Sequence, residues 1–191
     1  NGGQTPWTLE AMIQPAATNA NQEIICTDSS ADSRGFQFRL EKGAHLELNL
    51  IATGPDILTP IPTSGPNAYA PNTWYHVAAT YDGTNIVLYW TKVNPSITVA
   101  NAISTNAAAV GISFGSAQGP LTIGNENKGP AGENFSYLID EVRISSIARA
   151  ADQMLLSLNR KARACTPTSS SPTSSVYGGR QLTLSSAGDG T

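Results

Sequence analysis

The 191-residue sequence predicts an all-β fold: two antiparallel sheets packed as a sandwich, with one short C-terminal helix over an edge. Three observations point there. The run from Trp74 to Trp90 holds two strand-like arms around the polar turn Asp82-Gly83-Thr84-Asn85. Val77, Ala79 and Tyr81 share one face and Ile86, Leu88 and Trp90 another, since side chains alternate along a strand. A second pair alternates more plainly, with Phe36, Phe38 and Leu40 between Gln37, Arg39 and Glu41, then Leu46, Leu48 and Leu50 between His45, Glu47 and Asn49. Such alternation is that of a sheet with one buried and one wet face. Only near the C-terminus do apolar residues recur at helical spacing, at Ala148, Ala151, Leu155 and Leu158.

The remaining elements follow in order. Trp7–Ile13 reads as a strand stopped by Gln14-Pro15, and Glu23–Thr27 as a second before a polar turn. Residues 53–73, rich in Pro, Gly, Thr and Asn, read as a long loop of the kind that shapes a binding edge. Ile97–Ala100, Val110–Phe114, Leu121–Gly124 and Tyr137–Ile144 are further strands. The Ser/Thr/Pro-rich residues 166–177 read as a linker between a sandwich over 1–165 and a terminal strand within 178–191.

Composition narrows the function classes. Charged residues make up 13% of the chain and the net charge is −3, which gives no field for attracting nucleic acid. No apolar run reaches the ~18–20 residues that span a membrane. Cys26 and Cys165 form either a disulfide closing a very long loop or two separate thiols; the Ser/Thr-rich surface tilts the reading toward a bridge and an extracellular or cell-surface protein.

Three ordered motifs resemble the laminin-G-like modules of the concanavalin A-like lectin/glucanase superfamily. They are Trp7 to Pro15, Trp74 to Gly83, and Ile139 to Ile144 with the short helix after it. The resemblance implies a jelly-roll sandwich over residues 7 to about 160. It also implies one or two strands ahead of Trp7. Gly178–Thr191 is similar to that piece, and Leu182 and Leu184 are its strand-exchange candidates. The segment would fill the gap in its own chain, insert into a neighbouring molecule, or reflect a rearranged order of segments.

The family's hydrolase signature Glu-x-Asp-x-x-Glu is absent, and adjacent Asp140 and Glu141 point to opposite faces of a strand, so the chain reads as non-catalytic. Candidate glycan contacts are Tyr69, Tyr75, His45 and Glu47, because aromatics stack on sugars and polar groups satisfy hydroxyls. Related pentraxin-like members hold calcium in the loop before the closing strand. That resemblance implies Asn125, Glu126, Asn127 and Glu133 as oxygen ligands for a structural Ca2+. Asn134 heads the glycosylation sequon Asn134-Phe135-Ser136. The expectation is therefore an extracellular recognition or adhesion module for a glycan or a surface protein. A structural subunit self-associating through residues 178–191 is the first alternative, and a polysaccharide-active enzyme the second.

Overall fold

The computed structural model describes residues 5–30, 33–51, 54–108, 114, 119–126, 132–155, 175–177 and 180–182. Its strands are β1 (Trp7–Pro15), β2 (Gln22–Ser30), β3 (Ser33–Glu41), β4 (His45–Asn49), β5 (Asp56–Pro60), β6 (Tyr75–Tyr81), β7 (Asn85–Lys92), β8 (Ala102–Ala107), β9 (Thr122–Ile123), β10 (Tyr137–Ser145), β11 (Ser175–Tyr177) and β12 (Arg180–Leu182), with one helix, α1 (Ala151–Met154). Sheet A runs β10-β1-β6-β7-β8 and sheet B runs β5-β4-β3-β2-β9; among the described residues β11 and β12 pair with each other alone. The two-sheet antiparallel sandwich with one short helix is the fold the sequence pattern predicts.

The hairpin β6–β7 lies at the centre of sheet A. Val77 pairs with Trp90, Ala79 with Leu88 and Tyr81 with Ile86. Partners directly opposite in a ladder share a face. The two triplets therefore form one face, and all six side chains lie in the main core. The turn closes because Asp82 Oδ1 accepts bonds from the backbone N–H groups of Thr84 (2.8 Å) and Asn85 (2.7 Å). Gly83 takes φ +104° there, a value that a side chain would penalise. Truncating a core member such as Leu88 to alanine costs ~2–5 kcal/mol.

In sheet B, Phe36, Phe38 and Leu40 meet Leu46 and Leu48 in the core, while Gln37, Arg39, Glu41, His45 and Glu47 take the other face. A bulge between Glu23 and Ile25 turns both Ile24 and Ile25 into the core and leaves Glu23 opposite Arg39. That irregularity assembles the outer face of sheet B.

Two strand expectations need correction. Part of the predicted loop, Asp56–Pro60, is the edge strand β5, paired with β4 from His45–Pro60 to Asn49–Asp56. Its Pro60 and Asp56 disguise it, and a proline is tolerated because an edge strand has one side with no ladder to complete. Ile97–Ala100 is not a strand: Ala100 N–H bonds to Ala151 O at 2.9 Å, and the strand begins two residues later at Ala102. The edge strand β8, Ala-Ile-Ser-Thr-Asn-Ala, is largely exposed and so carries little apolar signal. Residues 110–113, Leu158 and most of the linker lie outside the described residues.

Helix α1 covers the outer face of sheet A. Met154 and Leu155 bury against Ala78, Tyr89 and Ala100, a small second core. An ionic cluster holds the preceding turn. Glu10 accepts from Arg143 (3.1 Å) and lies 3.1 Å from His76 Nε2 and 3.4 Å from Arg149 Nε. Burial works against the Glu10 carboxylate, but the His76 hydrogen bond and the charges of His76, Arg149 and Arg143 outweigh it and lower its pKa. His76 is thus a structural hydrogen-bonding residue of the central strand.

Candidate functional site

The outer face of sheet B carries an unusual layer: it is charged, and its centre is buried. Glu23, Gln37, Glu47 and Glu126 are all inaccessible. Gln37 Nε2 donates to Glu23 Oε1 (2.7 Å) and to Glu126 Oε1 (2.8 Å). Arg39 donates through Nε to Glu47 Oε2 (2.6 Å) and through Nη2 to Glu47 Oε1 (3.2 Å), a two-pronged pairing. Its Nη1 bonds to Glu133 and lies 3.7 Å from Glu23. Strands β2, β3 and β4 present these groups because polar residues occupy every second position. Residues 124–126 and 132–135 adjoin them, with backbone bonds to β2 from Gly124 N–H to Ile24 O and from Glu23 N–H to Glu133 O.

Glu23, Glu126 and Glu133 bring three carboxylates within 4.8 Å of one another, an acidic cluster able to coordinate a metal ion. Burial raises the Glu23 pKa to about 9, Arg39 opposing the shift and the charges of Glu133 and Glu126 adding to it. Glu23 Oε2 and Asn125 Oδ1 are buried and find no hydrogen-bond partner among the described residues. An orphaned carboxylate oxygen on Glu23, in a cluster of three carboxylates, fits the donor set of a hard cation.

An open polar groove adjoins this layer, lined by Asn19, Asn21, Lys42, Gly132, Glu133 and Asn134. Asn21 fixes its floor by donating to Glu133 Oε1 (2.8 Å) and accepting from Lys42 N–H (2.9 Å). Glu133 belongs to both features, so the groove wall is anchored through Arg39 to the sheet.

The residues singled out from sequence divide sharply. Glu126 and Glu133 fall in the acidic cluster, and Asn125 beside it; Asn127 lies outside the described residues. His45 is partly exposed, with Nδ1 3.2 Å from Glu41 Oε2. Glu47 is buried and holds Arg39 with both oxygens, which removes it as a sugar contact. Tyr75 is wholly buried, stacked on Trp90 at 4.4 Å, and its hydroxyl donates to Ala68 O while accepting from Ala70 N–H. A ring with no exposed face cannot stack on a sugar, so Tyr75 is a core residue. Tyr69 packs beside it at 6.3 Å and is partly buried.

Cys26 is a buried thiol whose Sγ lies 3.1 Å from Thr122 Oγ1; burial, with the nearby Glu23 charge, pushes its pKa up to about 11. Cys165 and Leu184 lie outside the described residues, and Leu182 ends β12. Asn134 is exposed at the groove, and the sequon's Ser136 hydroxyl donates to Gln22 Oε1 at 2.6 Å. Sequence reasoning left Glu23, Gln37 and Arg39 as ordinary polar positions of alternating strands. The signal present was a glutamate, a glutamine and an arginine on one face, but nothing local shows that a distant loop covers them.

A family profile described as "Concanavalin A-like lectin/glucanases superfamily", of laminin-G type, matches residues 2–154. The chain belongs to this family. No curated protein matches this concanavalin A-like chain. Among solved structures, a Bacteroides ovatus ATCC 8483 protein matches with TM-score 0.52 and 20% identity, over 80% of this chain and 42% of that one. The Ruminococcus gnavus IT-sialidase CBM40 bound to alpha2,3 sialyllactose matches with TM-score 0.55 and 12% identity, over 80% of this chain and 81% of that one. A bacteriophage CBA120 tailspike enzymatically active domain matches with TM-score 0.53 and 15% identity, over 83% and 24%. At such identities the likeness is one of fold. Concanavalin A-like scaffolds carry both binding and enzymatic sites, so activity is argued from the site itself. No helix among the described residues is long and apolar enough to cross a membrane.

Proposed function

We propose that this chain is a non-catalytic recognition module, working outside the cytoplasm, that binds glycan along the polar groove beside β2 and β3. The single observation that carries this reading is the groove itself. Three asparagines and a lysine stand around Glu133, which the buried Arg39 network holds in place. Side-chain amides match sugar hydroxyls as donors and acceptors, and rigid support spares the entropy of ordering them on binding. Lys42 gives the rim a cation, which favours acidic sugars. A protein of similar fold holds alpha2,3 sialyllactose, which supports a sugar ligand for this scaffold.

The acidic cluster supports a second element of the reading: a Ca2+ held by Glu23, Glu126 and Glu133, with Asn125 contributing its amide oxygen. Bound there, calcium would neutralise the buried carboxylates and tie the groove wall, through Glu133, to β2. Its binding requires the carboxylates ionised, so affinity rises with pH.

Glycan-array binding tests the groove. Asn19→Ala with Lys42→Ala is expected to lower binding at least about tenfold, the loss of one or two polar contacts. Stability should change by less than ~0.5 kcal/mol, because these are surface positions. Unchanged binding by the double variant, or no binding above background by the parent protein, contradicts the reading.

A further inference from the structure

The sequence holds one acceptor triplet for N-linked glycan, Asn134-Phe135-Ser136, and the fold sets its asparagine in the wall of the polar groove. Asn94-Pro95-Ser96 has the same outline, but its central proline disqualifies it. An acceptor for sugar thus lies among the residues proposed to bind sugar.

The three residues are held differently. Phe135 packs against the main core, and its N–H bonds to Gly124 O at 2.9 Å. Ser136 gives both its N–H (3.0 Å) and its hydroxyl (2.6 Å) to Gln22 Oε1. Gln22 Nε2 donates in turn to Ala17 O at 2.8 Å. These bonds tie the triplet to β2 and to the turn before it. Asn134 is exposed, and its side-chain amide makes no hydrogen bond among the described residues. By contrast, Asn21 has its amide committed at both ends, to Glu133 Oε1 and to Lys42 N–H. Asn134 Nδ2 is therefore open to a covalent bond without loss of an existing contact.

We infer that Asn134 is an N-glycosylation site, and that the attached glycan lies along the groove and covers it. Transfer forms a bond from Asn134 Nδ2 to C1 of the sugar, with loss of one amide proton. The C1–O bond to the diphosphate of a lipid-linked oligosaccharide donor breaks, and the lipid diphosphate leaves with the electron pair. The folded triplet cannot be drawn out to meet a transferase while Phe135 stays in the core. Transfer therefore precedes closure of this segment onto β2. Once attached, the glycan is tethered beside Asn19, Asn21, Lys42 and Glu133, at a roughly millimolar effective concentration. A free sugar of equal affinity has to exceed that concentration to displace it, so occupancy of Asn134 sets whether the groove is open. As control of recognition this rests on the proposed function; attachment and covering do not.

The full chain secreted from a host with N-glycosylation tests it, beside Ser136→Ala, which removes the triplet and leaves Asn134 in place. Ser136→Thr, which keeps both triplet and hydroxyl, is the control. Peptide mapping is expected to find glycan at Asn134 in the parent and in Ser136→Thr, and none in Ser136→Ala. The Lys42 amine, on an exposed residue of the groove, should react with a soluble acylating reagent at least about threefold more slowly in the two glycosylated proteins. Should Ser136→Ala fail to fold, Asn134→Gln supplies the unglycosylated comparison. A bare Asn134 in the parent, or equal Lys42 rates in all the proteins, overturns the proposal. On a glycan array Ser136→Ala should outbind the parent. No array binding by Ser136→Ala, with Lys42 still covered in the parent, removes the recognition reading and leaves attachment and covering standing.

Discussion

Two regions of this sandwich reverse the usual partition in opposite directions. Over β2–β4, charged side chains are buried and matched to one another. Between β9 and β10, core-facing aliphatic side chains stand in water. Burying charges is expensive, so a layer such as Glu23, Gln37, Arg39, Glu47, Glu126 and Glu133 persists only with dense pairing. Exposing aliphatics wastes burial worth ~25 cal/mol per Å². The first region is finished and rigid, and it supports a groove. The second leaves Ile123 and Ile144 half-exposed at the ends of their sheets.

The largest effect should come from breaking the finished region. Arg39→Ala leaves Glu23, Glu47 and Glu133 without their guanidinium and is expected to cost about 3–5 kcal/mol in denaturant unfolding. A loss below ~1 kcal/mol would show that the layer is not held by pairing.

A smaller effect of opposite sign is expected at Glu23. Its folded pKa is about 9 against an ordinary value of 4.5, so the folded state holds a proton that the unfolded state has released. Stability from this group is therefore fullest below pH ~4.5 and falls as pH rises toward 9. In chelator-treated protein, Glu23→Gln should be more stable than the parent by ~1–3 kcal/mol at pH 8, with no difference near pH 4. Calcium should then raise the melting temperature of the parent and not of the variant. A parent curve that rises between pH 5 and 8 relative to Glu23→Gln contradicts the assignment. The Asn19/Lys42 pair completes the series, with an effect on binding and almost none on stability.

Much of the fold was legible because it rests on period-two alternation. Phe36–Leu50 and Trp74–Trp90 write their inner faces plainly, and the closing Ile139–Ile144 strand follows a recognised motif. β5 and β8 were missed since edge strands bury little and tolerate proline, aspartate and serine. Two of the three carboxylates of the acidic cluster were visible, Glu126 and Glu133 lying in a loop that resembles a metal-binding one. Glu23, Gln37 and Arg39 were not, since their burial depends on residues about a hundred positions away folding over them. Tyr75 misled for a related reason: whether an aromatic faces a sugar or the core depends on which face of β6 is inside.

The most direct test of the central claim is backbone NMR mapping during titration with a panel of acidic oligosaccharides. Shift changes are expected at Asn19–Asn21, Lys42 and Gly132–Asn134, with the ends of β7 and β8 silent. Changes confined to other surfaces, or none at millimolar ligand across the panel, would contradict the assignment of recognition to this groove.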